Sequence, residues 1–469
     1  MSKKSHLGLK FFTIKEITGS LLFCESVAGV SFGEVVNVIT PKGGEKTGQV
    51  IDISDEVTVI QIFEGTAGLS IDSTAIRFTG ETIKLPVSMD MFGRMFTGTG
   101  KPADGGPNII PEDYLDIHAP TINPYSREHP TKFIQTGISV IDGLNTLLLG
   151  QKLPLLSGTG LPHKLLASQI VRQAKVVGEE EGFTIVFAAM GITSDEVTFF
   201  RNDFLKMGVM SKVVMFVNRA EEPAIERILT PRMALTAAEY FAFEHDLHVL
   251  VILLDMTNYC EALREISASR LEIPGRRGYP GYMYTDLATL YERAGIIKGK
   301  NGSVTQMPIL TMPDDDITHP IADLTSYITE GQIILDREMF KRGRYPPIDP
   351  LPCLSRLMDK GIGLNKTRED HKQLSDQLYY AYAEGKIVQG TALVSGEKAL
   401  TSTDKLYLKF MERFEREFIS QDFNENRDIE DTLNIGWNLL SIFPESELTR
   451  IEPSIIKKYH PKLEKIDSE

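Results

Sequence analysis

The stretch Ser157-Gly158-Thr159-Gly160-Leu161-Pro162-His163-Lys164-Leu165-Leu166 decides the fold of this chain. Its outline is that of a phosphate-binding loop: Gly, four residues, Gly, Lys, then Ser or Thr. Gly158 opens the outline, Gly160 lies within it and Lys164 stands in register. His163 replaces the second Gly, and Leu165 replaces the hydroxyl residue. Such a loop wraps phosphates with successive backbone N–H groups at a helix N-terminus. Pro162 removes one N–H. His163 adds bulk where glycine permits close approach. Leu165 offers no oxygen to Mg²⁺, a cation that takes hard oxygen ligands. Alone, the stretch could equally be a Gly/Pro surface turn. Its flanks argue otherwise. Residues 152–156 read as a short buried strand, and 165–174 as a helix with apolar residues three and four apart. Strand, loop and helix are the setting that phosphate binding needs, around a loop lacking two of its working parts.

Composition narrows the class. A chain of 469 residues has room for two to four domains, and 42% hydrophobic with 24% charged residues is ordinary for a globular protein. No apolar run is long enough to span a bilayer. No apolar stretch follows Met1-Ser2-Lys3-Lys4-Ser5-His6 that would make it a signal peptide. Cys24, Cys260 and Cys353 lie far apart with no metal-ligand spacing, which fits a reducing compartment. The net charge of −14 disfavours nucleic acid as a partner.

Three regions follow along the chain. Residues 13–17, 21–25, 34–39, 46–53 and 57–63 read as short, turn-punctuated strands, predicting a small antiparallel β-barrel over 1–80. Over 81–360, strand-like runs at 184–190, 212–217 and 248–254 alternate with helices at 195–207 and 223–244. This predicts an α/β nucleotide domain with a mostly parallel sheet. The run at 248–254 ends in Asp255, a position that in phosphate-loop enzymes helps hold Mg²⁺ and otherwise caps the next helix. Over 361–469, amphipathic segments at 370–382, 404–418 and 429–440 predict a helical bundle, with Gly385 and Gly390 as breaks. The charge run Glu412-Arg413-Phe414-Glu415-Arg416-Glu417 reads as a solvated helix face with mutual ion pairs, and Trp437 as core.

A barrel, a nucleotide domain and a helical end in this order resemble the head subunits of rotary ATPases. Pro346-Pro347-Ile348-Asp349-Pro350-Leu351-Pro352-Cys353-Leu354-Ser355-Arg356 is similar to the signature shared by their α/β-type subunits, with Cys353 at the usual first Ser. Gly275-Arg276-Arg277-Gly278-Tyr279-Pro280-Gly281-Tyr282 and Tyr327-Ile328-Thr329-Glu330-Gly331-Gln332-Ile333 match as well. Catalytic members carry a glutamate in a Gly-Glu-Arg segment after the strand beyond the loop. The matching residues are Ala188-Ala189-Met190-Gly191-Ile192-Thr193, with Ile192 at the glutamate position. An isoleucine cannot orient or deprotonate water. With 158–164, 187–192, 230–240 and 255–260, the chain resembles the non-catalytic B-type subunits of V-type (V/A-type) ATPases.

That resemblance implies an alternating hetero-hexamer with catalytic A subunits, a central shaft and peripheral stalks. The membrane is met only indirectly, from its cytoplasmic face. It places Arg356 as an arginine finger reaching, in trans, the ATP/ADP and Mg²⁺ held by the neighbouring catalytic subunit. Such fingers are worth about 10³–10⁵ in rate. Ser355 and Tyr327 are placed at the same interface. For the chain's own loop two readings stay open: Gly158, Gly160 and Lys164 bound an empty site, or a regulatory nucleotide site. Pairing of Lys164 with a carboxylate is the expectation.

Overall fold

Short runs of Val, Ile and Phe separated by glycine turns fold first into a closed sheet. In the computed structural model, which describes residues 9–461 apart from 178–181, 271, 397 and 399, six strands pair antiparallel. They are Ile14–Thr18, Leu21–Glu25, Glu34–Ile39, Glu45–Ile53, Val57–Ile62 and Ala75–Thr82, in the order first, second, fifth, fourth, third, sixth. Phe11 and Ile76 exchange both backbone hydrogen bonds (2.9 and 2.8 Å), joining the lead-in to the sixth strand and closing the barrel. Alternation puts Val36, Val38, Val50, Ile60, Ile76 and Phe78 inside. Gly48 permits a close crossing, since a Cβ there would lie 2.7 Å from Gln61 O. The sixth strand was not foreseen from the sequence and runs past residue 80. The stretch Met1 to His6 lies outside the described residues.

The central sheet runs Leu354–Ser355, Gly331–Ile334, Leu155–Gly158, Ser303–Met312, His248–Leu254, Phe183–Ile192, Val213–Arg219, Met95–Thr97. All neighbours on this path are parallel except the first pair. Its strands read as near-continuous apolar runs because helices cover both faces. The helix Ala224–Glu244 buries Ile228, Leu235 and Phe241 in the main core. The strand entering the loop is Leu155–Gly158 rather than 152–156. Pro154 has no N–H to give a ladder, so Lys152 makes only an isolated bridge to Gln306. After the loop, the helix His163–Gln173 leads to a strand separated from Leu155–Gly158 by two others. In open α/β sheets, ligands bind outside the carboxyl ends at such a reversal.

The remainder is helical: His371–Ser395, Ser402–Arg413, a π-helical stretch Phe414–Ile419, and Ile429–Leu440. Two expectations are corrected here. Gly385 and Gly390 do not break the helix, which runs through both. A Cβ at Gly385 would sit 2.7 Å from Met411 Cβ and 2.9 Å from Tyr407 O, so the glycine serves close helix packing. The run 412–417 is not wholly solvated. Arg413 and Arg416 do pair with Glu417. Glu415, however, is 1% exposed and takes Arg342 (2.6 Å) and Lys386 (2.9 Å) as partners. Trp437 is core, its indole N–H donating to Asp370 at 2.6 Å.

Candidate functional site

Two clusters lie at opposite ends of the central sheet. At the carboxyl end, the loop closes on itself. Leu161 N donates to Gly158 O (3.1 Å) and His163 N to Leu161 O (2.9 Å). His163 is buried, with Nδ1 3.0 Å from Ser157 Oγ and 3.1 Å from Leu161 O. Burial, helped by Lys164, holds its pKa below the ordinary histidine value. Lys164 pairs with Glu196, which also closes the capping box on Thr193. Burial works to raise Glu196, but the Lys164 ammonium and the Thr193 N–H hold it below the usual carboxylate range.

His163 Nε2 is buried without a hydrogen-bond partner among the described residues, whereas several other polar groups at this edge are engaged. Asp255 caps the helix Met256–Ser269 through Thr257 N (2.8 Å) and accepts from Thr311 Oγ1 (2.5 Å). Its capping role is therefore the one the geometry displays. Arg337 pairs with Asp315 and donates to Thr159 O at 2.8 Å. A Cβ at Gly158 would lie 1.8 Å from Asp315 Oδ1, so this pair packs directly on the loop. Ile192 is buried with no polar atom to offer. The donor set does not suit Mg²⁺-nucleotide: Leu165 supplies no oxygen, Asp255 is committed, and Lys164 is neutralised. Gly158, Gly160 and Lys164 are thus brought together, but with the lysine paired to Glu196 and the Asp315–Arg337 pair packed on Gly158. Sequence reasoning missed Glu196, Asp315 and Arg337. Only Glu196 left a local signal, the Thr193-x-x-Glu196 capping box.

At the amino end, the strands Gly331–Ile334 and Leu354–Ser355 pair antiparallel, and Arg356 emerges from the second. A Cβ at Gly331 would meet Leu354 O at 2.0 Å, so only glycine permits this pairing. Arg356 N donates to Glu330 O (2.9 Å), and its Nη1 to Thr329 O (3.0 Å). The side chain is exposed and, among the described residues, forms no ion pair. Tyr327 is 77% exposed beside Tyr284. Ser355 does not line this surface. It is buried, accepting from Gln151 Nε2 (2.9 Å) and donating to Thr146 O (2.8 Å), so it fixes the strand end instead. Cys353 does similar work in its motif, accepting from Ile334 N and donating to Asp349 O.

The distance between the clusters matters. Glu330 N bonds Lys152 O, which places Arg356 level with residue 152. Six residues at 3.3 Å each put Gly158 roughly 20 Å further along. Arg356 cannot serve its own loop.

Comparison with known proteins agrees in each region. Residues 14–80 match the ATP synthase alpha/beta family, beta-barrel domain. Residues 137–355 match the nucleotide-binding domain of the same family. Residues 360–460 match the C-terminal domain of V and A type ATP synthase. Among solved structures, the ATP synthase subunit NeqB from Nanoarcheaum equitans is similar at 41% identity and a TM-score of 0.72, covering 90% of this chain and 98% of that one. No helix among the described residues is long and apolar enough to cross a membrane. Barrel, nucleotide domain and helical end together make this chain a member of the ATP synthase alpha/beta family, in its V/A-type branch.

Proposed function

We propose that this chain is the non-catalytic B-type subunit of a V/A-type rotary ATPase or ATP synthase. It alternates with catalytic A subunits in a hetero-hexamer around a central shaft, held by peripheral stalks at the cytoplasmic face of the membrane. Arg356 reaches the nucleotide of the neighbouring catalytic subunit. Charge spreads over the phosphoryl oxygens in transfer, and a planar guanidinium is suited to stabilise it. ATP or ADP with Mg²⁺ belongs to that interface, and this chain supplies the cation rather than a metal ligand. The chain alone hydrolyses nothing, and its part is to couple hydrolysis or synthesis at the A sites to ion transport in the membrane sector.

One observation carries this reading: an exposed arginine without an ion-pair partner among the described residues stands roughly 20 Å from its own loop. The paired Lys164 and the missing Mg²⁺ ligand at Leu165 support the same division of labour and favour an empty own site over a regulatory one. The test is ATP turnover of the complex reconstituted with the catalytic partner, wild type against Arg356→Ala, with assembly confirmed. Turnover falling by about 10³ or more with assembly intact is the expected result. Undiminished turnover overturns the proposal.

A further inference from the structure

Behind Arg356 stands a chain of alternating charges. Lys152, 3% exposed, bridges Glu292 Oε1 (2.8 Å) and Glu330 Oε1 (2.9 Å). Its backbone N–H donates to the other Glu330 oxygen at 2.8 Å, and Glu330 N returns a bond to Lys152 O at 3.0 Å. Arg127 holds Glu292 from the outer side at 2.7 Å. Arg127, Glu292, Lys152 and Glu330 sum to zero charge. The positive charge of Arg356 is left over.

Glu330 carries a carboxylate on the very residue whose backbone carbonyl accepts from Arg356 N. The arginine already bonds the Glu330 backbone carbonyl and that of Thr329. Both Glu330 oxygens are instead claimed by Lys152. A buried ammonium is costly unless paired and hydrogen-bonded, so Lys152 holds its carboxylates firmly. Two consequences follow. The 329–330 backbone that orients the guanidinium is pinned to the amino end of the loop strand. The guanidinium also stays free of the Glu330 carboxylate.

We propose that Lys152 is a positioning residue for Arg356: by binding both oxygens of Glu330 it fixes the carbonyls that aim the arginine and prevents Glu330 from pairing with it. This rests on the arginine finger role proposed above. Lys152 touches no substrate and acts only through Glu330.

The test uses the reconstituted complex with assembly verified, and reads kcat for Lys152→Met, Glu330→Gln, the double variant and Arg356→Ala. Misplaced catalytic groups cost up to about a hundredfold, so Lys152→Met is expected to lower kcat by roughly ten- to a hundredfold with KM little changed. In the double variant the competing charge is gone, and most of the loss is expected to return. A general packing defect at a buried site would not be relieved by a second substitution beside it. Unchanged kcat in Lys152→Met, or no recovery in the double variant, overturns the proposal. If Lys152→Met fails to assemble, Glu330→Gln alone decides. It should lose up to about tenfold and no more, because an amide oxygen can still accept from the Lys152 backbone N–H and keep the 329–330 backbone pinned, while the ammonium's hold is weakened and the competing charge is gone. A loss as deep as that of Arg356→Ala would refute the assignment. Full turnover in Arg356→Ala would instead refute the finger itself, whatever the Lys152 variants do.

Discussion

Repairing the loop with His163→Gly and Leu165→Thr should create nucleotide binding without creating turnover. His163 Nδ1 has two polar neighbours, Ser157 Oγ at 3.0 Å and Leu161 O at 3.1 Å. The one ring nitrogen shares a single hydrogen bond between these neighbours, so its loss costs about 1 kcal/mol, and glycine in the first helical turn adds about 1 kcal/mol. Without ligand, the repaired chain is therefore about 2 kcal/mol less stable than wild type. The threonine supplies the Mg²⁺ ligand that Leu165 lacks, and the glycine reopens close approach to phosphate. Mg-ADP at a hundred times its Kd then returns about 2.7 kcal/mol. For a nucleotide domain of this size that is a rise in Tm of roughly 5–10 °C. Thermal melts of both chains, with and without Mg-ADP, make the comparison. The wild-type transition should not move. An equal Mg-ADP shift in wild type would refute the argument that His163 and Leu165 close the loop. ATP hydrolysis by the repaired chain alone would refute the weight placed on Ile192.

Glu415→Ala should destabilise the junction between the nucleotide and helical regions. It strips Arg342 and Lys386 of a 2%-exposed carboxylate. Both cations are partly exposed and can rehydrate, so the loss should sit near the low end for a broken buried pair, about 3 kcal/mol, measured by urea or thermal melting. The same carboxylate gives a pH dependence. Burial opposes its ionisation, but Lys386 and Arg342 hold its pKa below the ordinary 4.5. Its stabilisation is then full above about pH 4.5 and is lost as pH falls through the lower folded value. Melts of wild type should therefore weaken more on acidification than those of Glu415→Ala. Gly331→Ala places a Cβ 2.0 Å from Leu354 O and should open the pairing that carries Arg356. Turnover of the reconstituted complex is expected to drop toward that of Arg356→Ala, while a variant retaining full turnover would show that this pairing does not position the arginine.

Local pattern revealed the elements, and only long-range contact revealed their use. Leu21–Glu25, His248–Leu254 and Ile429–Leu440 fall where periodicity puts them, because each is a clean alternating, buried or amphipathic run. The strand at the loop was misplaced by Pro154, whose missing N–H delays the ladder to Leu155. Gly385 read as a break because glycine costs a helix about 1 kcal/mol. Packing against Met411 and Tyr407 outweighs that cost. Glu415 read as solvated because its partners, Arg342 and Lys386, are distant in sequence. At the site, the defects of the loop could be read one residue at a time, since each removes a specific donor, ligand or space. The Asp315–Arg337 pair over Gly158 and the Lys152–Glu330 pairing behind Arg356 could not, because nothing local in the sequence marks them. Ser355 was carried with its neighbour to the interface, but strand alternation turns it inward as Arg356 turns out.

The most direct test of the central claim separates the ground state from the transition state. In the assembled complex, affinity is measured for Mg-ADP and for Mg-ADP with aluminium fluoride, which imitates the transferring phosphoryl group, in wild type and Arg356→Ala. A finger acts on charge that develops in transfer. Mg-ADP should therefore bind alike in both, while the analogue weakens by about 10³ or more in the variant. Equal binding of the analogue to both complexes, or equal weakening of ADP and analogue, would contradict the account.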